Sequence, residues 1–173
     1  MKNIFLLAFS GAAAAAALSL SGCKPAEHHD HDHAHGHGHD QAHAHHEHGH
    51  KAAHGGCLHA LGTCENGHVE TRLTGDTLEL WFVGGGSDTE KAVRIPDAAV
   101  TLHITAQGAA PRPLVLAARP NELADEKVGD CSQFVGKAEW LKGLAAFKAT
   151  GEVTFRGHNQ AVVIDYPKGY DPD

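Results

Sequence analysis

The apolar and polar positions divide the chain into three stretches. Residues 4–20 are almost continuously apolar, broken only by Ser10, Gly11 and Ser19. Residues 24–56 show no apolar periodicity, so they offer no face that a core could bury. Period-2 alternation then dominates. Val69, Thr71 and Leu73 alternate with polar neighbours, Gly75-Asp76 follows, and Leu78, Leu80 and Phe82 alternate again. Two such runs about a Gly-Asp pair predict a β-hairpin. Gly84-Gly85-Gly86 breaks the second strand, and a strand about residues 92–95 ends at Pro96. Val100, Leu102 and Ile104 form another alternating run, and residues 114–118 a short apolar one. Residues 153–155 and 161–164 flank a polar turn and predict a second hairpin, closed off by Pro167. Trp140, Leu141, Leu144 and Phe147 have helical spacing, which predicts one short helix over residues 136–147, and Asn121 after Pro120 predicts a helical turn over 121–126. The expected fold is mainly β, a small antiparallel sandwich or barrel of about seven strands with one short helix, preceded by a disordered His-rich tether. The expected division is a signal segment 1–22, a tether 23–55 and a β-rich domain 56–173.

Composition changes the picture at one residue type. The chain of 173 residues has 17 histidines. Thirteen of them, His28, His29, His31, His33, His35, His37, His39, His43, His45, His46, His48, His50 and His54, lie in the second stretch. Imidazole suits zinc, copper, nickel and cobalt, and Asp30, Asp32, Asp40 and Glu47 add oxygen donors between the rings. The alternating His31, His33, His35, His37 and His39 bring neighbouring rings within reach of one ion in many backbone conformations, so several exchangeable sites are expected rather than one closed cage. Binding needs neutral imidazole and weakens below about pH 6.5. Zinc is the expected ion, with copper, nickel and cobalt as alternatives. The net charge of −7 and the absence of a basic stripe give no sign of nucleic-acid binding.

The first stretch is an export signal by its composition: Lys2 precedes an alanine-rich apolar run at the N-terminus. It ends in Leu20-Ser21-Gly22-Cys23, which resembles the lipobox of bacterial lipoproteins. That resemblance implies cleavage before Cys23 and lipidation of its thiol. The following residue is Lys24 rather than Asp, which in that sorting scheme favours the outer membrane, with the protein facing the periplasm.

Cys57, His59, Cys64 and His68 lie within twelve residues. Two thiols and two imidazoles are a legitimate zinc set, although the spacing is not that of a zinc finger. In an oxidising compartment the expected pairing is a Cys57–Cys64 disulfide, with a second metal site as the alternative. Cys131 is expected to be buried and inert. His103 falls opposite the apolar face of its strand and His158 lies in a turn, so both are expected at the surface. No Gly-x-Ser-x-Gly, His-Glu-x-x-His or phosphate-loop pattern is present, and no enzymatic activity is expected.

Residues 68–97 resemble the small β-domain of periplasmic lipoproteins that accompany heavy-metal efflux systems. Gly55-Gly56, His68-Val69-Glu70 and Val93-Arg94-Ile95 carry the likeness. It implies metal traffic in the bacterial envelope, with a metal transporter or efflux-pump component as partner. The alternative is a structural lipoprotein whose β-domain docks a protein partner and whose His tract is a spacer.

Overall fold

The computed structural model describes residues 51–169. The signal segment, Cys23 and the twelve histidines from His28 to His50 lie outside the described residues. The described chain forms eight antiparallel strands: β1 (Cys57–Ala60), β2 (His68–Thr74), β3 (Thr77–Val83), β4 (Ala99–Ala106), β5 (Arg112–Ala118), β6 (Gln133–Lys137), β7 (Phe147–Phe155) and β8 (His158–Tyr166). Their order in the one sheet is β1-β2-β3-β6-β5-β4-β7-β8. The sheet curls into a nearly closed barrel whose seam lies between β1 and β8. There the backbone N–H of Asp165 on β8 donates to Nδ1 of His59 on β1, at 3.4 Å.

Both anticipated hairpins are present, β2–β3 and β7–β8, the latter turning at Arg156-Gly157. Directly paired residues of antiparallel strands share a face. Val69, Thr71, Leu80 and Phe82 therefore line the interior, and His68, Glu70, Arg72, Glu79 and Trp81 the outer face. β4 shows the alternation most cleanly: Val100, Leu102 and Ile104 are buried while Thr101 and His103 are exposed. A barrel of eight strands is narrow enough for side chains to fill it. Here Phe82 packs edge-on against Phe134, with centroids 5.6 Å apart, and tilted against Phe155 at 6.3 Å. The β5–β6 junction is a close approach: a Cβ on Gly136 would come within 2.9 Å of Leu116 Cγ and 3.0 Å of the Val115 carbonyl.

The structure departs from the pattern in the stretch expected to be helical. Residues 133–137 form β6, and only a 3-10 turn, Glu139–Leu141, follows before β7 begins at Phe147. Gly143 adopts φ +78°, which ends the turn, and too few residues remain between the glycines to nucleate an α-helix. Trp140 instead sits beneath the Arg112 guanidinium, 4.3 Å from its ring centre. The strand about residues 92–95 reduces to isolated bridges, Val83 with Ala92 and Ile95 with Cys131. The turn after Pro120 forms as expected, a 3-10 segment at Glu122–Ala124 capped by the Asn121 side chain.

Phe82 is the hub of the aromatic cluster and is fully buried. Phe82→Ala should lower stability by about 3–5 kcal/mol. Val115→Ala, on an exposed strand position, should change it by no more than about 0.5 kcal/mol. Urea denaturation of the two variants beside the parent checks both figures.

Candidate functional site

The four Cys and His residues near the start of the domain are parted by strand alternation. Cys57 and His59 on β1 pair with Thr71 and Val69, whose side chains face the interior. Ala60 pairs with His68, so the His68 ring lies on the opposite, outer face. The expected Cys57–Cys64 disulfide is not formed, because Cys57 is a free thiol whose Sγ donates to the Thr71 carbonyl at 3.5 Å. Burial, and then the charge of Glu70, push its pKa up. Among the described residues no three His, Cys, Asp or Glu side chains converge as a preformed metal site.

The structure does bring Cys64 and His68 together. Cys64 lies in the loop 61–67, with its Sγ 3.5 Å from Nε2 of His68 at the start of β2. The other ring nitrogen, Nδ1 of His68, donates to the Gly84 carbonyl at 3.2 Å. That bond selects the tautomer whose Nε2 lone pair faces the thiol. Both loops behind the pair are tied down. Leu61 N donates to Gly67 O at 2.8 Å, and Asn66 Nδ2 to Leu61 O at 2.8 Å. Gly86 N donates to Cys64 O at 3.0 Å, joining the loop 61–67 to the loop that follows β3. The contact requires glycine, since a Cβ on Gly85 would lie 2.2 Å from the Glu65 carbonyl oxygen.

His59 has a different environment. It is fully buried, and Nδ1 accepts the Asp165 N–H across the seam, so the neutral ring carries its proton on Nε2. That atom has no partner among the described residues, and neither does Thr71 Oγ1. Burial, against the opposing charge of Asp165, lowers the His59 pKa to about 4.

Beside these lies a carboxylate clasp that the alternation did not announce. Glu70 is fully buried on the outer face of β2. It accepts from His54 N at 2.8 and 3.0 Å, from Gly56 N at 2.8 Å and from His54 Nδ1 at 2.8 Å. The His54 ring stacks on Trp81 at 4.4 Å, only 3° from parallel, and Arg72 donates to the His54 carbonyl at 2.7 Å. His54, grouped by sequence with the tether, is therefore part of the folded body, with one ring nitrogen already engaged. A cleft of about 330 Å³ adjoins it, lined by His54, Trp81, Glu90, Asn121, Glu126 and Gln133. Burial works against the Glu126 charge, but donors from Ser132 Oγ and the Asn121 and Ser132 N–H groups outweigh it and hold the pKa below the usual carboxylate range. Cys131 is buried beside it, and burial raises its thiol pKa. His103 and His158 are exposed, as expected. A surface concavity of about 600 Å³ over β4, β7 and β8 has His103 and Glu152 as its titratable lining.

No known protein family, no curated protein and no solved structure matches the chain.

The His59 environment has a measurable consequence. Its folded pKa of about 4 lies below the ordinary 6.5, so between those values the unfolded chain takes up the proton and the folded one does not. The stabilisation is complete above about pH 6.5 and is lost progressively as the pH falls towards 4, by up to about 3 kcal/mol. His59→Gln should flatten that acid limb. Urea midpoints of parent and variant at neutral pH and near the lower value check it. An identical pH dependence in both proteins would show that the ring is already charged in the native state.

Proposed function

We propose that this protein is an envelope lipoprotein that binds transition-metal ions, zinc foremost, through its histidine tract, and buffers them or hands them to a transporter or efflux component. Thirteen imidazoles between His28 and His54, interleaved with carboxylates, carry this reading. Borderline metal ions take imidazole nitrogen readily, and repeated ligands without an enforced geometry favour exchange over permanent capture. Cleavage before Cys23 and acylation of its thiol would hold the protein at the membrane, in the outer membrane facing the periplasm. Binding, not catalysis, is the proposed activity, with copper, nickel and cobalt as competing ions.

Two experiments test it. Calorimetry with zinc should give several ions per chain for the parent. It should give at most one when the twelve histidines from His28 to His50 are replaced by Ser, leaving His54 in its clasp. Equal stoichiometry in the two proteins rejects the tract as the metal carrier. Separately, a fatty-acid analogue fed to cells should label the parent, and the Cys23→Ser variant should lose that label. Equal labelling, or a mature N-terminus elsewhere, rejects the lipid anchor.

A further inference from the structure

We propose that Cys64 and His68 are the domain's own metal-acceptor pair, a thiolate and an imidazole that together take two positions of a zinc ion and leave the others open for exchange. The inference rests on the metal-carrying role proposed for the tract and names the place in the folded domain where an ion would be received.

The spacing is the first argument. Zinc binds sulfur at about 2.3 Å and imidazole nitrogen at about 2.0–2.1 Å, so at a tetrahedral angle the two donors stand about 3.6 Å apart. Cys64 Sγ and His68 Nε2 stand 3.5 Å apart. An ion could therefore replace the thiol proton with little movement of either side chain.

The second argument is the support behind the ring. A metal-ligating histidine characteristically donates its other N–H to a carbonyl or carboxylate, which fixes the tautomer and strengthens the donor. His68 Nδ1 does this with Gly84 O at 3.2 Å. The thiol side is equally constrained, since Cys64 O accepts from Gly86 N at 3.0 Å.

Access is the third. Cys64 is only partly buried, in contrast to the fully buried Cys131. The loop that backs His68 also receives the chain from the tract. Thr89 Oγ1 donates to Lys51 O at 3.2 Å, and Lys51 Nζ lies 3.9 Å from Glu90 Oε1. The residues immediately preceding Lys51 include His50, His48 and His46. Weaker nitrogen ligands thus lead in sequence to a site containing thiolate, the softer and stronger donor for zinc and copper(I). The other candidates lack this combination. His59 and Thr71 face the interior, and the cleft beside Glu126 has its carboxylate already satisfied by protein donors.

Cobalt(II), a coloured stand-in for zinc, tests the pair in the full chain carrying Cys23→Ser, so that only domain thiols remain. The complex should show a near-ultraviolet thiolate-to-cobalt charge-transfer band. Cys64→Ser should abolish it, and His68→Gln should weaken the cobalt affinity read from it by about tenfold or more. Cys57→Ser and Cys131→Ser should leave it in place. A second measurement needs no variant at the pair: zinc should protect Cys64, but not Cys57, from alkylation, read by mass spectrometry. Absence of the band, its survival in Cys64→Ser, or unchanged Cys64 alkylation with zinc would overturn the proposal. If the chain still binds several ions without the band, the tract reading stands and the pair falls. If the band persists and replacing the tract histidines changes nothing, the pair stands and the tract reading falls.

Discussion

The arrangement at the front of the domain depends on one buried carboxylate. Glu70 sits on the outer face of β2 with no exposed surface, and an ionised carboxylate withdrawn from water is tolerable only if donors replace its hydration. All its hydrogen bonds come from residues 54 and 56, two backbone N–H groups and the His54 ring. The demand is therefore met by the segment that leads in from the histidine tract. Once that segment is held, His54 covers Trp81 and Arg72 closes over the same indole, 4.8 Å from its centre. A sheet face that would otherwise be wet becomes a second packed layer. Beside this layer the loop after β3 lies against the loop 61–67, where Gly86 N donates to the carbonyl of Cys64, next to His68.

This explains which parts of the structure were legible from the chain. β4 and β5 have one dry and one wet face; Val100, Leu102 and Ile104 announce themselves by alternation, and Leu114 and Leu116 by the short apolar run that holds them. β2 and β3 are covered on both sides, and their outer faces are polar for reasons other than solvent: His68, Glu70 and Glu79 are buried with partners. Alternation assigned them to water. β6 was hidden because Gly136, which the β5–β6 contact requires, reads as a break, and because the spacing of Trp140, Leu141 and Leu144 imitates a helix. β1 was hidden because its residues Cys57 and His59 invite a chemical reading before a structural one.

The candidate chemistry divides the same way. The density of ligands in the tract is a matter of composition and needs no fold to be seen. The grouping of Cys57, His59, Cys64 and His68 within twelve residues was equally visible, yet neighbours in sequence are separated here by a sheet. Which thiol meets which imidazole depends on strand register and on the Gly84 carbonyl that orients the ring, and neither is a local property of the motif.

The clasp also determines how the domain takes a mechanical load. Any tension arriving along the chain upstream of Lys51 meets the Glu70 bonds to residues 54 and 56 before it reaches β1, the edge strand that begins at Cys57. Glu70 belongs to β2, which is hydrogen-bonded to a strand on each side. After the Lys51 contacts to the loop that follows β3, a pull is thus borne by a strand inside the sheet before the edge strand, and the seam closed by His59 is spared being unzipped from its exposed end.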